Sequence, residues 1–434
     1  MISSKSLVKI GLIGFGTVGS GVVDVLKRRQ EFFRNKLGAQ LELTRIADKD
    51  ITSKRPIRVS RKILTTDAAD IYDDPDIDVV IELVGGIEPA RTFILKAIEN
   101  GKHIVTANKA LLALHGKELF EAALKKNVSI SYEASCAGGI PLIIGLRDGL
   151  IANDITLIQG ILNGTANYIL TQMTENGKSY DSALQEAQEL GYAEADPTFD
   201  VEGMDTGHKL TILAGIAFGA YVNFKNVYIE GITALTPEDI STARDLGCVI
   251  KMLAVAKFHE DRSLELRIQP AFIPGSHPLA SINGVENAVQ IRGDVVGDVM
   301  FRGPGAGRLP TASAVVADVV DVVLGRARLS FHRLSLASEK VRHVKIRDIQ
   351  TRYCVRMKVR DKPGVLSRLT AILSDSGVSI RSVIQKEADA QGNAAIIILT
   401  HKTEENCIHK SMRSIKRLSV VTGKPVLFRY EELE

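Results

Sequence analysis

Residues 14–19 read Gly-Phe-Gly-Thr-Val-Gly, the spacing G-x-G-x-x-G. The motif follows an apolar run, Leu7–Ile13, and opens a segment of helical periodicity, Thr17–Gln30. In that context each glycine has its own task. Gly14 permits a tight turn, Gly16 lets the backbone approach a pyrophosphate, and Gly19 lets helix and strand pack closely. N–H groups at the helix start then hold the phosphates. A glycine-rich structural turn is the plain alternative. Asp48 ends the next apolar run, where a carboxylate takes the adenosine ribose hydroxyls of NAD and repels the extra phosphate of NADP. It stands 29 residues after Gly19, later than the usual ~20, and the extension through Phe32–Gln40 accounts for the delay. Lys49, with Arg45 and Arg55 nearby, offers positive charge for a 2′-phosphate, which leaves NAD and NADP both open. A turn or helix-cap aspartate is the other reading of Asp48.

Asp205-Thr-Gly-His-Lys209 opens a helix that is apolar around most of its circumference through Leu210–Ala220. Asp205 and Lys209 are four residues apart and share a face. On a surface helix they would be an ordinary ion pair. On a buried one, the charges cost free energy unless they face a cleft or a partner, which favours a site. Gly191-Tyr-Ala-Glu194-Ala-Asp-Pro197 follows a helix over Asp181–Leu190, with Gly191 suited to terminate it. It makes a rigid acidic loop, or else a solvated turn.

These residues need elements to hold them. Strand-like runs at Leu7–Ile13, Leu41–Ala47, Val79–Leu83, His103–Thr106 and Ser129–Glu133 alternate with helical segments, one of them Pro89–Asn100, which predicts a parallel sheet covered on both faces: an α/β, Rossmann-type domain. Beyond about residue 150 the pattern becomes antiparallel and α+β. Ile155–Leu162 is a strand. Val249–Lys257 and Leu264–Ile273 form a hairpin, and so do Asn287–Arg292 and Gly297–Phe301. Thr311–Leu324 is a helix. Residues 326–350 are basic and read as an irregular linker. From Arg352 to Tyr430 the order is β-α-β-β-α-β, ferredoxin-like and separate.

The 434 residues predict two to four domains. Lys plus Arg is 55 against 51 for Asp plus Glu, too small an excess to argue for nucleic acid or an anionic membrane. Trp is absent and aromatics are 5%, leaving few stacking platforms for single strands. Cys136, Cys248, Cys354 and Cys407 are scattered, which indicates neither a zinc site nor a disulfide framework and fits a reducing, cytoplasmic setting. No signal peptide is evident, and the longest apolar stretch, Leu210–Val222, is well short of the ~20 residues that span a bilayer.

Over nearly its whole length the sequence resembles homoserine dehydrogenase in its form with a C-terminal ACT regulatory domain. The resemblance rests on Gly14–Gly19, Thr106-Ala-Asn-Lys109, Glu133-Ala-Ser-Cys-Ala-Gly-Gly-Ile-Pro141, Asn163-Gly-Thr-Ala-Asn167, Gly191–Pro197, Asp205–Lys209 and Gly303-Pro-Gly-Ala-Gly307. It implies reversible, NAD(P)-dependent interconversion of L-homoserine and L-aspartate 4-semialdehyde, in threonine, methionine and isoleucine biosynthesis. By that resemblance Lys209 is the proton donor to the aldehyde oxygen, and Lys109 lies near the nicotinamide and that oxygen. Glu194 and Asp205 bind the substrate ammonium, with Gly191, Tyr192 and Asp200 beside them. Phe15, Thr17, Val18, Gly85, Thr106, Ala107, Gly191 and Gly307 match cofactor positions. Glu133 and the carbonyls of Cys136, Gly138 and Ile140 match a monovalent-cation site, usually sodium. The family commonly has Val where Cys136 stands, a change that a backbone ligand tolerates.

The same resemblance divides the chain. Residues 1–134, completed by 306–330, bind the cofactor; 135–305 form the catalytic and dimerisation domain of a homodimer or homotetramer; 331–350 link; and 351–434 are the ACT domain. There Asp361-Lys-Pro-Gly364-Val365-Leu366 joins strand to helix and offers N–H groups to an effector carboxylate, with threonine the expected effector. An oligomerisation module without a ligand is the alternative. Because every residue assigned to chemistry precedes 310, a chain cut near 340 is expected to keep its activity and lose the effector response. Two rivals remain. Cys136 raises a thioester-forming aldehyde dehydrogenase, which needs an activated thiolate and a nearby base. A non-catalytic amino-acid sensor is the other, and the set Glu194, Asp205 and Lys209 argues against it.

Overall fold

Strand β1 (Leu7–Ile13) leads into helix α1 (Thr17–Arg28) in the computed structural model, which describes residues 5–333 and 341–432. The single helix expected through Gln30 breaks at Arg29 (φ −110°, ψ 12°), and α2 (Gln30–Leu37) follows. The first unit continues with β2 (Gln40–Ala47), β3 (Leu64–Thr65), α3 (Ala69–Tyr72), β4 (Val79–Glu82), α4 (Ala90–Glu99), β5 (His103–Thr106), α5 (Lys109–Lys126) and β6 (Ile130–Ser131). Every pairing is parallel, in the order β3-β2-β1-β4-β5-β6. The chain reverses direction across the sheet between β1 and β4, and the crevice at their C-terminal ends is where such sheets bind ligands. The runs are buried on both faces, as in Val79–Glu82, where all four residues are inside, and this explains why they read as continuous rather than alternating.

The second unit holds α6 (Leu142–Ile144), β7 (Ile155–Ile161), α7 (Gly164–Asn176), α8 (Tyr180–Glu189), α9 (Thr198–Val201), α10 (Met204–Phe218), β8 (Tyr228–Ile229), α11 (Pro237–Asp245), β9 (Cys248–Phe258), β10 (Ser263–Pro274), β11 (Glu286–Gly293) and β12 (Gly297–Pro304). Helix α12 (Arg308–Val323) then returns to the first unit. Its Ala312, Val315 and Val319 share an apolar cluster with Val8, Ile10 and Val22, and Arg308 reaches Asp24 at 3.2 Å.

Two expectations are corrected by the rest of the chain. The described residues of 326–350 are not all irregular: α13 (Arg326–Arg333), β13 (Arg342–His343) and a 3₁₀ turn at Ile346–Asp348 lie among them, and residues 334–340 lie outside the described residues. Nor is the tail separate. It comprises β14 (Gln350–Arg360), α14 (Val365–Asp375), β15 (Ile380–Gln385), β16 (Asn393–Thr400), β17 (Thr403–Glu404), α15 (Glu405–Ile415) and β18 (Val426–Tyr430). One 12-stranded sheet runs β12-β11-β7-β9-β10-β18-β14-β16-β15, with β8, β13 and β17 paired at its sides. The join is parallel, Ala271 to Arg429 and Phe272 to Tyr430. Phe272 stacks on Phe428 at 4.7 Å. Arg267, buried on β10, is held between Glu265 and Glu431. Arg429 donates to Glu405 and, at 2.9 Å, to Glu230 of the second unit. A buried guanidinium without an acid would be costly, so the tail completes the ion pairing of the middle unit as well as its sheet edge.

Candidate active site

A cleft of about 610 Å³ opens where the two units meet, with Val18, Ala107 and Gly307 on its cofactor side and Lys109, Asp205 and Lys209 facing them. Glu194, Asp200, Gly191, Tyr192 and Gly138 also line it. Residues separated by nearly 300 positions therefore share one space.

The phosphate loop has the conformation its glycines predict. Gly14 is left-handed (φ 101°), and a Cβ there would meet the Leu83 carbonyl oxygen at 2.6 Å; one on Gly19 would meet the Gly14 oxygen at 2.1 Å. A Cβ on Gly16 would meet no protein atom within 4 Å. Packing thus demands the first and third glycines, whereas the second leaves open backbone on the ligand side. Asp48 is more occupied than expected. Its Oδ2 accepts the Phe15 N–H at 2.5 Å and its Oδ1 the Asp50 N–H at 2.9 Å, while Arg55 stands 3.8 Å away and donates to the Phe15 carbonyl at 2.8 Å. Asp48 thus ties the dinucleotide loop to the end of β2, and Arg55 is a cation at the same corner. Thr106 ends β5 inside the protein, and Gly85 follows β4 with φ 77°.

Helix α10 starts from left-handed Gly203 (φ 84°) and is buried around Asp205–Ala214. Asp205 Oδ2 lies 2.6 Å from Lys209 Nζ, and its Oδ1 lies 3.0 Å from Lys109 Nζ at the start of α5. Lys209 also donates to the Leu162 carbonyl at 2.6 Å. Burial disfavours the charge on Asp205, but the ammonium groups of Lys209 and Lys109 outweigh it and hold the carboxyl well below the usual carboxylate range. Burial likewise works against the Lys109 ammonium, and the Asp205 charge and hydrogen bond, with Asp200 behind, raise its pKa on balance. Burial, reinforced by Asp205, lifts the Asp200 carboxyl although the Asn163 amide opposes this. His208 is packed between Phe199 and Phe224, and burial lowers it to about 4, so it is a neutral core residue.

Asn163 has a larger part than its motif indicated. As the N-cap of α7 it accepts the Ala166 N–H at 2.8 Å, and its amide donates to Asp200 at 2.7 Å and Asp205 at 2.9 Å. An Asn before Gly-Thr reads as a cap, and only the fold shows that the same side chain orders two acids. With Lys109, Lys209 and Asn163 on it, Asp205 has both oxygens engaged. Glu194 is exposed at the rim, and the Tyr192 ring packs against Tyr168, tilted by 57° with centroids 5.0 Å apart. Cys136 is wholly buried with its sulfur 3.7 Å from the Lys209 carbonyl, and burial pushes its thiol up to about 12. A thiol so protonated is not a nucleophile, which removes the ground for a thioester.

Such a cleft can protonate or deprotonate an oxygen beside a bound dinucleotide. The relatives agree with that chemistry. The family models that match are described as homoserine dehydrogenase, NAD binding domain, over residues 14–133, homoserine dehydrogenase over 141–320, and ACT domain over 355–419. A homoserine dehydrogenase of Pseudomonas aeruginosa is 45% identical over 98% of this chain and 99% of its own, and one of Bacillus subtilis 38% identical over 98% of each. Among solved structures, a homoserine dehydrogenase from Thiobacillus denitrificans superposes with a TM-score of 0.91 at 43% identity, covering 99% of both chains. A hyperthermophilic archaeal homoserine dehydrogenase in complex with NADPH superposes at 0.63 and 25% identity over 74% of this chain and 98% of its own. Since the likeness runs through the sheet, the cleft and the tail together, the chain belongs to the homoserine dehydrogenase family, an oxidoreductase acting on the alcohol group of homoserine with a nicotinamide cofactor.

Proposed function

We propose that the cleft interconverts L-homoserine and L-aspartate 4-semialdehyde, within threonine, methionine and isoleucine biosynthesis, with Lys209 as the proton donor and acceptor at the reacting oxygen. The observation that carries this is Asp205 bridging Lys209 and Lys109 in the wall opposite the dinucleotide loop. Bound nicotinamide supplies or takes up the hydride at the carbon. Negative charge then develops on the aldehyde oxygen, and the lysine ammonium neutralises it by giving a proton. Lys109 adds a second positive charge. Asp205, carrying both lysines, orients them, and with Glu194 it faces the substrate ammonium, with Asp200, Gly191 and Tyr192 beside them. The test is homoserine oxidation by the wild-type chain and Lys209→Ala: a folded variant should lose about 10²–10⁴-fold in kcat, and near-wild-type kcat would remove Lys209 from the step.

The remaining readings have narrower support. Gly14–Gly19, Asp48, Lys49, Gly85, Thr106, Ala107, Lys109, Gly191 and Gly307 would hold the cofactor, and Asp48 would favour NAD over NADP. For a monovalent cation, Glu133 uses its carboxylate on the N–H groups of Ile143 and Ile144 at 2.9 and 2.8 Å. That leaves main-chain oxygens of Glu133, Cys136, Gly138 and Ile140, on a loop curled through left-handed Ala137 (φ 53°) and Gly138 (φ 54°). Carbonyl oxygens suit a hard cation such as sodium. In the tail, a hollow of about 450 Å³ includes Asp361, Gly364, Val365 and Leu366, where threonine would bind. A homodimer or homotetramer is supported by the open edge of β12, beside which Val295 is 76% exposed. The four cysteines are free and no described helix is long and apolar enough to cross a membrane, in keeping with a cytoplasmic enzyme.

A further inference from the structure

Glu82 is the last residue of β4 and is completely buried, directly beside Thr106 in the parallel register. Its Oε1 accepts the Val84 N–H at 2.7 Å and the Gly85 N–H at 3.3 Å, and its Oε2 accepts the Thr106 hydroxyl at 2.7 Å. That hydroxyl in turn accepts the Asn108 N–H at 3.0 Å. Asn108 closes the circuit: its amide donates to the Gly86 carbonyl at 2.7 Å, and its Oδ1 caps α5 by accepting the Leu111 N–H at 3.1 Å. The ring thus runs from Glu82 through the Val84–Gly86 turn to Asn108, and back through Thr106. Both turns leave the C-terminal edge of the sheet, and the residue after Asn108 is Lys109.

We propose that Glu82 is a positioning residue for the reaction: it locks the Val84–Gly86 turn against the Thr106–Asn108 turn and so sets where Lys109 enters the cleft. This rests on the reading of Lys109 given above. A carboxylate suits the task because its two oxygens accept from two turns at once, which a neutral side chain of the same shape cannot do. Glutamine can keep one oxygen on Val84 and Gly85, but its amide then faces the Thr106 hydroxyl, whose proton loses its acceptor. Inside the protein, that unmet donor is what moves the turn. Burial itself pushes the Glu82 carboxyl upward, against the pull of Thr106, Val84 and Gly85. Neither Asp205 nor the Gly14–Gly19 loop makes a hydrogen bond in the ring; Gly14 only packs against Leu83 and Val84, so the pyrophosphate end of the cofactor site should feel a change at Glu82 less than Lys109 does.

The experiment compares wild type, Glu82→Gln, Thr106→Val and the double variant. It reads kcat at saturating substrate, binding of NADPH, and binding of ADP-ribose, a probe without the nicotinamide. Glu82→Gln should lower kcat by about 10–100-fold, a span of one to two lost buried hydrogen bonds, with ADP-ribose affinity changed less than about twofold. The double variant should be no slower than the worse single one, because both cut the same ring. Glu82→Gln with wild-type kcat, multiplicative losses in the double variant, or an equal loss of ADP-ribose binding would overturn the role. Homoserine turnover by the wild-type chain tests the underlying reading separately. Were it absent, weakened NADPH binding with intact ADP-ribose binding would still report the lock, and unchanged NADPH binding would refute it.

Discussion

Replacing Asp205 by Asn removes one negative charge and almost no volume, and the structure says what should follow. The carboxylate is 2.6 Å from one ammonium and 3.0 Å from another. At such separations and an effective dielectric of about 20, each pair is worth roughly 6 kcal/mol before desolvation is subtracted. Removing one partner of a buried pair costs about 3–5 kcal/mol. Lys109 is one-third exposed at its side chain and Lys209 one-tenth, so most of the loss belongs to Lys209. The expected fall in unfolding free energy is therefore about 3–5 kcal/mol, and kcat should fall about 10²–10⁴-fold as the proton donor loses its orientation. The pH dependence has a definite sign. The depressed Asp205 contributes fully above its ordinary 3.8 and is lost only on acidification through its lower folded value, whereas the raised Lys109 contributes below its ordinary 10.5 and is lost as pH rises through its higher folded value. Between those ordinary values the stability difference between wild type and variant should be flat, and it should narrow outside them. Urea unfolding across pH, with kcat from nicotinamide absorbance, measures both. A loss under about 1 kcal/mol with kcat within a few-fold of wild type would refute the bridging role.

Two other perturbations follow from the structure. Asp48→Ala should raise KM for both cofactors, because Phe15 loses its acceptor, while shifting the ratio of kcat/KM toward NADP as Arg55 is freed from a competing acid; an unmoved ratio would place Asp48 away from the 2′ position. Cutting the chain near residue 340, expected from sequence to keep activity and lose the effector response, should also lower solubility and thermal stability, because it bares the β10 edge and leaves Arg267 without Glu431; a truncated chain as stable and active as the whole would show that this joint is dispensable.

Much of the first unit was legible in the sequence because its signals are local. A glycine needed for φ above zero or for close approach leaves its mark within six residues, as Gly14–Gly19 does, and strands buried on both faces appear as unbroken apolar runs such as Val79–Glu82. The charged pair on an apolar helix was also readable, since Asp205 and Lys209 are neighbours on one face and their burial follows from the residues around them. Local signals therefore reach as far as the elements, the cofactor loop and one half of the charge cluster. The rest depends on contacts between distant segments, because energies that depend on distance in space have no trace in sequence spacing. Lys109 joins Asp205 across 96 positions, Asn163 orders two acids from a helix cap, Asp48 turns inward to Phe15, and β18 pairs with β10 so that Arg267 finds an acid in the tail. Each is a buried polar group that must find a partner, and only the folded chain shows which partner it found.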